Sequence, residues 1–579
     1  MCRHHQTTRL SFMGAFLFAF LASAHGNTPQ ETGPIFREVA TKTGLDFVHF
    51  NGMSGKFYFP EMTGQGGAVF DMDGDGDLDI YLVQGAILNE KESMKDMVFP
   101  SKEAKPKDRL YRNDLIKQAD GSFQPKFVDI TEKVGLNNTS FGMGVLAADF
   151  NNDGRIDLYV TNYGPNQLFF QMADGTFLDV TASAGVGDPL WGTSAAAIDF
   201  NRDGLLDIYL ANYVEYDLKA NPACYATSSR RDYCGPASFP PQKDRLYLNK
   251  GQGRFEDVTD RLLEGYEAHS GLGVVTTDVN QDGWLDLIVA NDGQPNHLWV
   301  NNKGNGFMDD ALFSGLALNM DGNAEASMGI CAGDIDGDGD EDIFMAHLMG
   351  ESNTLYLNDG SGLFEDKTLA LGIGAESFPF TSFGANLIDF DNDGWLDLFV
   401  ASGAVRIIER LAAEGDPYPI HQPNQLYHNQ GGKTFSNVTA KVGSDFLYSE
   451  VSRGTAMGDL DNDGDSDIIV FNNNGHVRVY ENLVGHGQNW IGFRCLDPKT
   501  KRDDLGANIT VIREGKSPLV HRVRVDGSYC SSNDARVLFG LGSTAQIPKV
   551  TIQWSDGSNQ ELKTPTINTY HIIKKGTTP

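Results

Sequence analysis

The chain has 579 residues, of which 40% are apolar and 10% aromatic, so it can form a sizeable core and does not have the composition of a disordered protein. Its 46 basic residues stand against 78 acidic residues, a net charge of −32. This charge repels phosphate backbones and attracts cations, which argues against a nucleic-acid partner.

The first 24 residues have the pattern of a secretory signal peptide. Arg3 and Arg9 accompany the start of an apolar run, Leu10–Leu21, and small residues follow at 22–24. The run is too short to span a bilayer, and no later segment reaches about 18 uninterrupted apolar residues. The sequence therefore predicts an exported protein, whether secreted, periplasmic or on the cell surface, without a transmembrane helix.

One nonapeptide pattern, D-x-[DN]-x-D-G-x-x-D, recurs along the chain. Its seven copies begin at Asp71, Asp149, Asp199, Asp278, Asp334, Asp389 and Asp459. Ca²⁺ takes about six to eight oxygen ligands. Alternate residues of a tightly curled loop can aim side-chain oxygens at one centre, position 7 can add its backbone carbonyl, and Gly at position 6 permits the turn. The pattern predicts up to seven Ca²⁺ ions, one in each loop.

The predicted metal ligands occupy positions 1, 3, 5, 7 and 9 of each loop. They are Asp71, Asp73, Asp75, Asp77, Asp79, Asp149, Asn151, Asp153, Arg155, Asp157, Asp199, Asn201, Asp203, Leu205, Asp207, Asp278, Asn280, Asp282, Trp284, Asp286, Asp334, Asp336, Asp338, Asp340, Asp342, Asp389, Asp391, Asp393, Trp395, Asp397, Asp459, Asp461, Asp463, Asp465 and Asp467. Carboxylates packed so closely repel one another unless a cation lies between them. Mg²⁺ is the weaker candidate because it requires a strict octahedron.

The flanks of these loops distinguish them from EF-hands. An EF-hand needs a bidentate Glu at loop position 12 and a helix on each side. Position 12 is apolar in every copy, namely Leu82, Val160, Leu210, Val289, Met345, Val400 and Val470. The residues around each loop have the composition of strands, so each loop is predicted to join two strands.

The wider repeat predicts a β-propeller. Each loop lies between two strands, and further strands such as Arg245–Asn249 and Phe255–Thr259 complete a four-stranded unit. Seven such units predict an all-β, seven-bladed propeller over residues 34–484. The seventh unit has no fourth strand after 477–480, and Phe36–Val39 matches the missing strand. We therefore expect the N-terminal strand to close the ring, which removes open sheet edges.

The cysteines after residue 24 are expected to meet oxidising conditions. Cys224 and Cys234 lie in one Pro-rich loop, and Cys495 and Cys530 lie in one C-terminal segment, so both pairs are candidate disulfides. Sequence alone does not fix the connectivity. Cys331 falls in an apolar, strand-like run and is expected to be a buried free thiol.

Residues 486–575 alternate short strands with Gly turns and predict a small β-sandwich. At these residues and at the repeated loops, the chain resembles two families. The loops and the Phe-…-Asp-Val-Thr strands resemble the FG-GAP/VCBS repeats of integrin α-subunit propellers. Residues such as Asn489–Phe493, Val525–Tyr529 and Val550–Gly557 resemble the ASPIC/UnbV domain. The resemblance implies an extracellular calcium-binding protein tied to adhesion or matrix, and it implies no catalytic activity.

The long insertions suggest where a partner binds. Residues 85–108, 213–244 and 403–424 connect second to third strands, so they lie on the rim opposite the metal loops. Long loops on a rigid scaffold are common recognition sites. We expect Ca²⁺ to stiffen one rim while these insertions bind an extracellular protein or glycan, although they can also be merely tolerated additions.

Two other interpretations remain open. Polar residues that end the second strands can ring a sugar site or simply serve turns: Asn162, Asn212, Asn291, His347, Ser402 and Asn472. A propeller-type carbohydrate lyase or dehydratase would use a histidine base, for which the chain offers His269, His297, His347, His421 and His428. No Ser–His–Asp ordering, zinc motif or phosphate-binding loop is evident, so a binding module is the favoured interpretation.

Overall fold

The computed structural model describes residues 33–226 and 228–577. The predicted signal peptide lies outside these residues. Strands dominate the described part, which confirms the all-β prediction, and residues 34 onward form one compact unit. None of the described helices has the length and apolarity that a membrane crossing requires.

Seven sheets make up the larger part of the fold, and each has its four main strands in antiparallel order. In chain order they are Gly67–Phe70, Asp79–Leu82, Arg109–Asn113 and Phe127–Asp129; Gly142–Ala148, Asp157–Asn162, Gln167–Gln171 and Phe177–Asp179; Gly192–Ile198, Asp207–Asn212, Arg245–Asn249 and Phe255–Asp257; Gly271–Thr277, Asp286–Asn291, His297–Asn301 and Phe307–Asp309; Ile330–Gly333, Asp342–Met345, Thr354–Asn358 and Phe364–Asp366; Ser382–Ile388, Asp397–Ser402, Gln425–Asn429 and Phe435–Asn437; and Ser452–Gly458, Asp467–Asn472, Arg478–Asn482 and Phe36–Glu38. We number these sheets one to seven.

The sheets form a closed ring. The first strand of each sheet packs against the first strand of the next, and the first strand of sheet seven packs against that of sheet one. The N-terminal strand completes sheet seven, with Phe36 opposite Asn482 and Glu38 opposite Tyr480. Both ends of the ring therefore belong to one sheet, and no sheet edge is left at the junction.

A regular amide contact links each sheet to the one before it. The last residue of each third strand is Asn, or Gln171 in sheet two, and its side-chain amide donates to the backbone carbonyl at position 2 of the preceding loop. Asn113 of sheet one, for example, donates to Leu460 of sheet seven at 2.9 Å. The seven contacts run around the whole ring, so each loop is tied to its neighbour.

Residues from 489 onward form two smaller sheets. One contains Val537–Gly542, Asn489–Leu496 and Tyr570–Lys574, and the other contains Leu519–Arg522, Asn508–Ile512, Lys549–Gln553 and Asn559–Lys563. Buried residues of both sheets, including Phe493, Phe539, Ile509 and Ile552, join one apolar cluster. This part is called the C-terminal domain below.

The remaining elements are short. The helices are Thr181–Ala184, Thr259–Leu262, Ala311–Ser314, Gly374–Ser377 and Glu409–Ala413, with 3₁₀ turns at Phe59–Met62, Met94–Asp96, Pro236–Ser238, Thr439–Lys441, Ser444–Leu447 and Gly485–Gly487. Additional strand pairs are Ile116–Lys117 with Phe123–Gln124, Cys224–Tyr225 with Arg231–Asp232, Gln422–Pro423 with Ser449–Glu450, and Leu263–Glu264 along the edge of sheet four.

Two segments from opposite ends of the chain fill the central channel. Residues 528–532 leave the C-terminal domain and form hydrogen bonds with first strands of the ring. For example, the Ser528 N–H donates to the Ile330 carbonyl at 2.6 Å, and the Ile330 N–H donates to the Ser528 carbonyl at 3.0 Å. Phe59–Met62 enters from the other side. The two segments meet where the Tyr529 hydroxyl donates to the Thr63 carbonyl at 2.9 Å. The two segments therefore occupy the middle of the channel.

The cysteines correct one predicted pair. Cys224 and Cys234 form a disulfide, as predicted, and Cys331 is a buried free thiol, as predicted. The Cys495–Cys530 pair is wrong, because both are buried free thiols. Cys495 lies in a strand of the C-terminal domain, whereas Cys530 lies inside the ring, where its backbone N–H donates to Ser194 at 2.9 Å.

Candidate metal loops and their cover

The seven nonapeptides join first to second strands, so all of them lie on one rim, which we call the loop rim. Each loop takes the number of its sheet, so loop one is 71–79 and loop seven is 459–467. Position 6 is a glycine with φ between +86° and +99° in every copy, a range that favours Gly. In six copies this glycine N–H donates to the carboxylate at position 1 at 2.7–3.1 Å. The loops therefore curl as their sequence predicts.

Position 9 has a second task that the sequence does not show. Each of these aspartates accepts the backbone N–H of the residue that ends the third strand, at 2.7–3.0 Å. In six sheets the other carboxylate oxygen accepts the N–H of position 2. The position 9 carboxylate thus holds the loop against its own sheet, whatever else it binds.

The carboxylates of a loop come together. In loops one, five and six, one oxygen from each of positions 1, 3 and 9 lies within 4.8 Å of the others. Burial, and then the neighbouring carboxylates, raise the pKa of Asp79 to about 8 and that of Asp342 to about 9. These shifts mean that the negative charge is unfavourable without a counter-ion.

Four loops also contain buried carboxylate oxygens with no hydrogen-bond partner among the described residues. They are Asp391 Oδ1 of loop six, and Asp207 Oδ2, Asp278 Oδ1 and Asp340 Oδ1, the last three on residues that are 0%, 8% and 6% exposed. An unpaired buried carboxylate oxygen is costly. Hard oxygen donors are the set that Ca²⁺ prefers, so the residues present in loops three, four and five fit that ion.

The other loops differ from this pattern. In loop two the Arg155 guanidinium bonds to the Asp153 carboxylate, a predicted ligand. In loop six His428 Nε2 lies 3.3 Å from Asp391 Oδ2, and in loop seven His486 Nδ1 lies 3.0 Å from Asp465 Oδ2. The seven loops have similar backbone conformations, but the charged side chains around them differ from loop to loop.

The C-terminal domain covers the loop rim. Arg494 Nη1 donates to Asp71 Oδ2 at 2.9 Å, and the Tyr570 hydroxyl donates to Asp459 Oδ2 at 3.0 Å, so two position 1 aspartates already have partners. Further hydrogen bonds reach loops two, three, five and six. This cover is not predictable from the sequence, because its cationic residues have no periodic spacing.

One contact of the cover is an ion triad of largely buried side chains. Glu341 of loop five binds Arg522 Nε at 2.7 Å and also binds Arg524. Burial would raise the pKa of Glu341, but the two guanidinium groups outweigh burial and hold it at about 2. The triad joins the loop rim to the C-terminal domain through charges that neither side can leave unpaired.

The opposite rim, which we call the insert rim, is built by the three insertions. Phe59 stacks on Phe239 at 5.3 Å, and Phe99 packs edge-on against Tyr418 at 5.8 Å. The Ile407 N–H donates to Asp232 at 3.2 Å, which joins the second insertion to the third. The insertions therefore share one apolar cluster, and they are not independent surface loops.

The polar ends of the second strands serve the turns that follow them. Asn162 and Asn291 donate to the carbonyls of Pro165 and Pro295 at 2.9 and 2.8 Å. The histidines suggested for a lyase do not share one cleft. His297 and His347 are only 2% and 1% exposed, whereas His428 lies beside loop six and His421 lies in the third insertion.

Comparison with known proteins agrees with this architecture. A family model described as FG-GAP-like repeat matches residues 149–210, 234–289, 278–345 and 334–400, and one described as ASPIC and UnbV matches residues 497–579. The chain is therefore an FG-GAP-repeat β-propeller protein with a C-terminal ASPIC and UnbV domain.

Curated relatives share the name cartilage acidic protein 1. The chain is 27% identical to the mouse protein over 43% of its own length and 47% of the relative. It is 28% identical to the human protein over 43% of its own length and 46% of the relative. The chain thus spans about half the length of the relatives it matches.

Among solved structures, the chain is similar to one titled for specific recognition of non-reducing terminal N-acetylglucosamine by an Agrocybe aegerita lectin. The TM-score is 0.38 and the identity 18%, over 62% of this chain and 81% of that chain. Likeness at this level carries no inference about function.

Proposed function

We propose that the protein is an exported, calcium-binding β-propeller that binds an extracellular protein or glycan through its insert rim. Ca²⁺ stiffens the loop rim, and the C-terminal domain holds that rim covered. The observation that carries this proposal is the division of the ring: one rim is covered by the protein's own C-terminal domain, whereas the other displays three interlocked insertions.

Three features support the calcium part of the proposal. The seven nonapeptides hold 29 acidic and two basic residues, so most of the net charge lies on one rim. Their carboxylates converge, and loops three, four and five contain buried oxygens without partners. A bound cation satisfies these oxygens and offsets the repulsion between neighbouring carboxylates.

Elemental analysis of the purified protein tests the calcium proposal. We expect several equivalents of bound Ca²⁺ and the loss of one equivalent in Asp338→Ala, which removes position 5 of loop five. Asp321→Ala, an exposed residue outside the loops, serves as the matched control and should leave the count unchanged. Protein that carries no Ca²⁺ after dialysis against a calcium buffer contradicts the proposal.

Charge and exposure support the insert rim as the recognition surface. The three insertions contain eleven basic and twelve acidic residues, so this rim is nearly neutral in a strongly acidic chain. The disulfide Cys224–Cys234 closes a hairpin that leaves Tyr225 65% exposed. Exposed Tyr residues are frequent anchors of binding interfaces.

Two observations support an extracellular location. The Cys224–Cys234 disulfide is typical of oxidising compartments. The relatives named cartilage acidic protein 1 point to a matrix setting.

A matched pair of variants tests the recognition surface. Tyr225 and Ile572 are 65% and 64% exposed, but Ile572 belongs to the C-terminal domain. Immobilised native protein should retain a ligand from cell-surface or matrix extract, Tyr225→Ala should retain less, and Ile572→Ala should match the native protein. Equal retention by all three, or a selective loss in Ile572→Ala, contradicts the proposed surface.

No observation in the described residues favours the lyase or dehydratase alternative. A general base must reach its substrate, and His297 and His347 are buried. Burial lowers the pKa of His347 to about 4. The binding function therefore stands as the proposal.

A further inference from the structure

We propose that Ser449, His421 and Asp416 form a hydrolytic site for small carboxylic esters on the insert rim. The sequence shows no Ser–His–Asp ordering, yet the structure brings these three side chains into one chain of hydrogen bonds. The site is separate from the metal loops and goes beyond the binding function proposed above.

The distances are those of a nucleophile, a base and an orienting acid. His421 Nδ1 lies 2.6 Å from Ser449 Oγ, and His421 Nε2 lies 2.5 Å from Asp416 Oδ2. With the proton on Nε2 shared with Asp416, the Nδ1 lone pair faces the serine hydroxyl. A nucleophile bonded to a base that a third group orients is the arrangement nucleophilic catalysis requires.

Local structure holds each group in place. The second oxygen of Asp416 accepts the Tyr418 N–H at 2.7 Å, which fixes the carboxylate. His421 is held by a bridge to Gly403. The strand pair that follows His421 places Pro423 opposite Ser449, so backbone pairing sets the serine beside the imidazole.

The surroundings of Ser449 favour an ester with an apolar acyl group. Leu447 and Tyr448 precede the serine and are 47% and 42% exposed. The Arg478 guanidinium lies 4.5 Å from the Tyr448 ring and binds Glu450, the residue after the serine, at 2.6 Å. The Arg478 guanidinium therefore holds the residues on both sides of the serine in place.

The reaction proceeds in two balanced steps. Ser449 Oγ forms a bond to the ester carbonyl carbon while its proton moves to His421 Nδ1, and the alcohol then leaves with that proton. Water attacks the acyl-serine and gives one proton to Nδ1. The bond between Oγ and the carbonyl carbon breaks, Oγ regains the proton, and the carboxylic acid departs. Ester and water thus become acid and alcohol.

Labelling with a fluorophosphonate probe and hydrolysis of p-nitrophenyl butyrate, both in calcium buffer, test the site. We expect the probe to attach to Ser449, as mapped by peptide mass spectrometry. Ser449→Ala should abolish labelling and turnover, and His421→Ala should slow both by about 10²–10⁴-fold. Ser228→Ala, an exposed serine of the same rim that bonds to Glu409 and not to a histidine, is the matched control and should keep full activity.

Asp416 is a positioning residue, so its variant needs a readout beyond the loss of rate. Asp416→Asn should lower kcat more than it raises KM and should alter the pH profile of kcat, with an unchanged melting temperature. Failure of the probe to label Ser449 between pH 6 and 9, or turnover that survives Ser449→Ala, overturns the proposal. Either result would leave calcium binding and partner binding untouched.

Discussion

The two rims of the ring differ in how they were built and in what they expose. The loop rim repeats one nonapeptide seven times, carries most of the net negative charge and is covered by the C-terminal domain. The insert rim consists of three unrelated insertions whose charges nearly balance, and it remains open. The repeated loops therefore lie in the covered part of the protein, whereas the irregular insertions form the rim that the C-terminal domain does not cover.

Of the changes that separate the two rims, removal of calcium from the loop rim should lower the stability of the protein most. A bound ion adds about 2.7 kcal/mol per site when its concentration is 100 times Kd. With several sites, excess EDTA should lower Tm by roughly 10 °C or more. Differential scanning calorimetry measures the change, and EDTA already saturated with calcium is the control. An unchanged Tm in free EDTA would show that the loop rim is rigid without metal.

The cover of the loop rim should depend strongly on the ion triad. Glu341→Gln leaves the buried Arg522 and Arg524 without a counter-charge, and loss of one partner from a buried pair costs about 3–5 kcal/mol. Chemical denaturation measures the loss. Glu561→Gln, in an exposed pair with Lys549, should cost less than about 1 kcal/mol. Similar values for the two variants would mean that the triad does not hold the cover.

Whether residues 528–532 fill the channel can be tested at Gly66, the residue before the first strand of sheet one. A Cβ on Gly66 would lie 1.8 Å from the Cys530 carbonyl oxygen, so Gly66→Ala should destabilise the protein by about 1–3 kcal/mol or more. Gly487→Ala is the control, because a Cβ there meets nothing within 4 Å. Equal stability of the two variants would argue that residues 528–532 do not occupy the channel.

A smaller effect should come from Glu61, a buried residue beneath the insert rim, on the pH dependence of the free energy of unfolding. Burial raises the pKa of Glu61 to about 8 from an ordinary value of 4.5. Between these values the folded state holds a proton that the unfolded state has lost, so this group lowers the free energy of unfolding by up to about 1.4 kcal/mol per pH unit as pH rises. Glu61→Gln should flatten that slope, and a slope identical to that of the native protein contradicts the assignment.

The repeat made the ring predictable from the sequence. The filling of its channel was not predictable, for a physical reason. A nonapeptide such as 334–342 specifies its own turn through neighbouring residues, so its curl can be read locally. The channel segment cannot be read in this way, because Cys530 meets Gly66 and Gly144 only after the ring has closed. That placement is also why the predicted pair with Cys495 is wrong.

The amide contacts between sheets were only partly predictable from the sequence. The Asn at the end of the third strand is visible in the sequence, for example at Asn249 and Asn358. Its acceptor is a backbone carbonyl of the preceding loop, which has no side-chain signature. The recurrence of the residue was therefore apparent, but its partner required the structure.

The meeting of Thr63 and Tyr529 inside the ring imposes an order on biogenesis. A ribosome finishes the first sheets long before it makes the segment that fills their shared interior, so the nascent chain stays hollow and loosely packed until almost all of it has been synthesised. Contacts between such distant residues form slowly. The interior of the ring can therefore reach its final packing only when nearly the whole chain is available, so a truncation before residue 528 would remove part of that interior and not merely a peripheral domain.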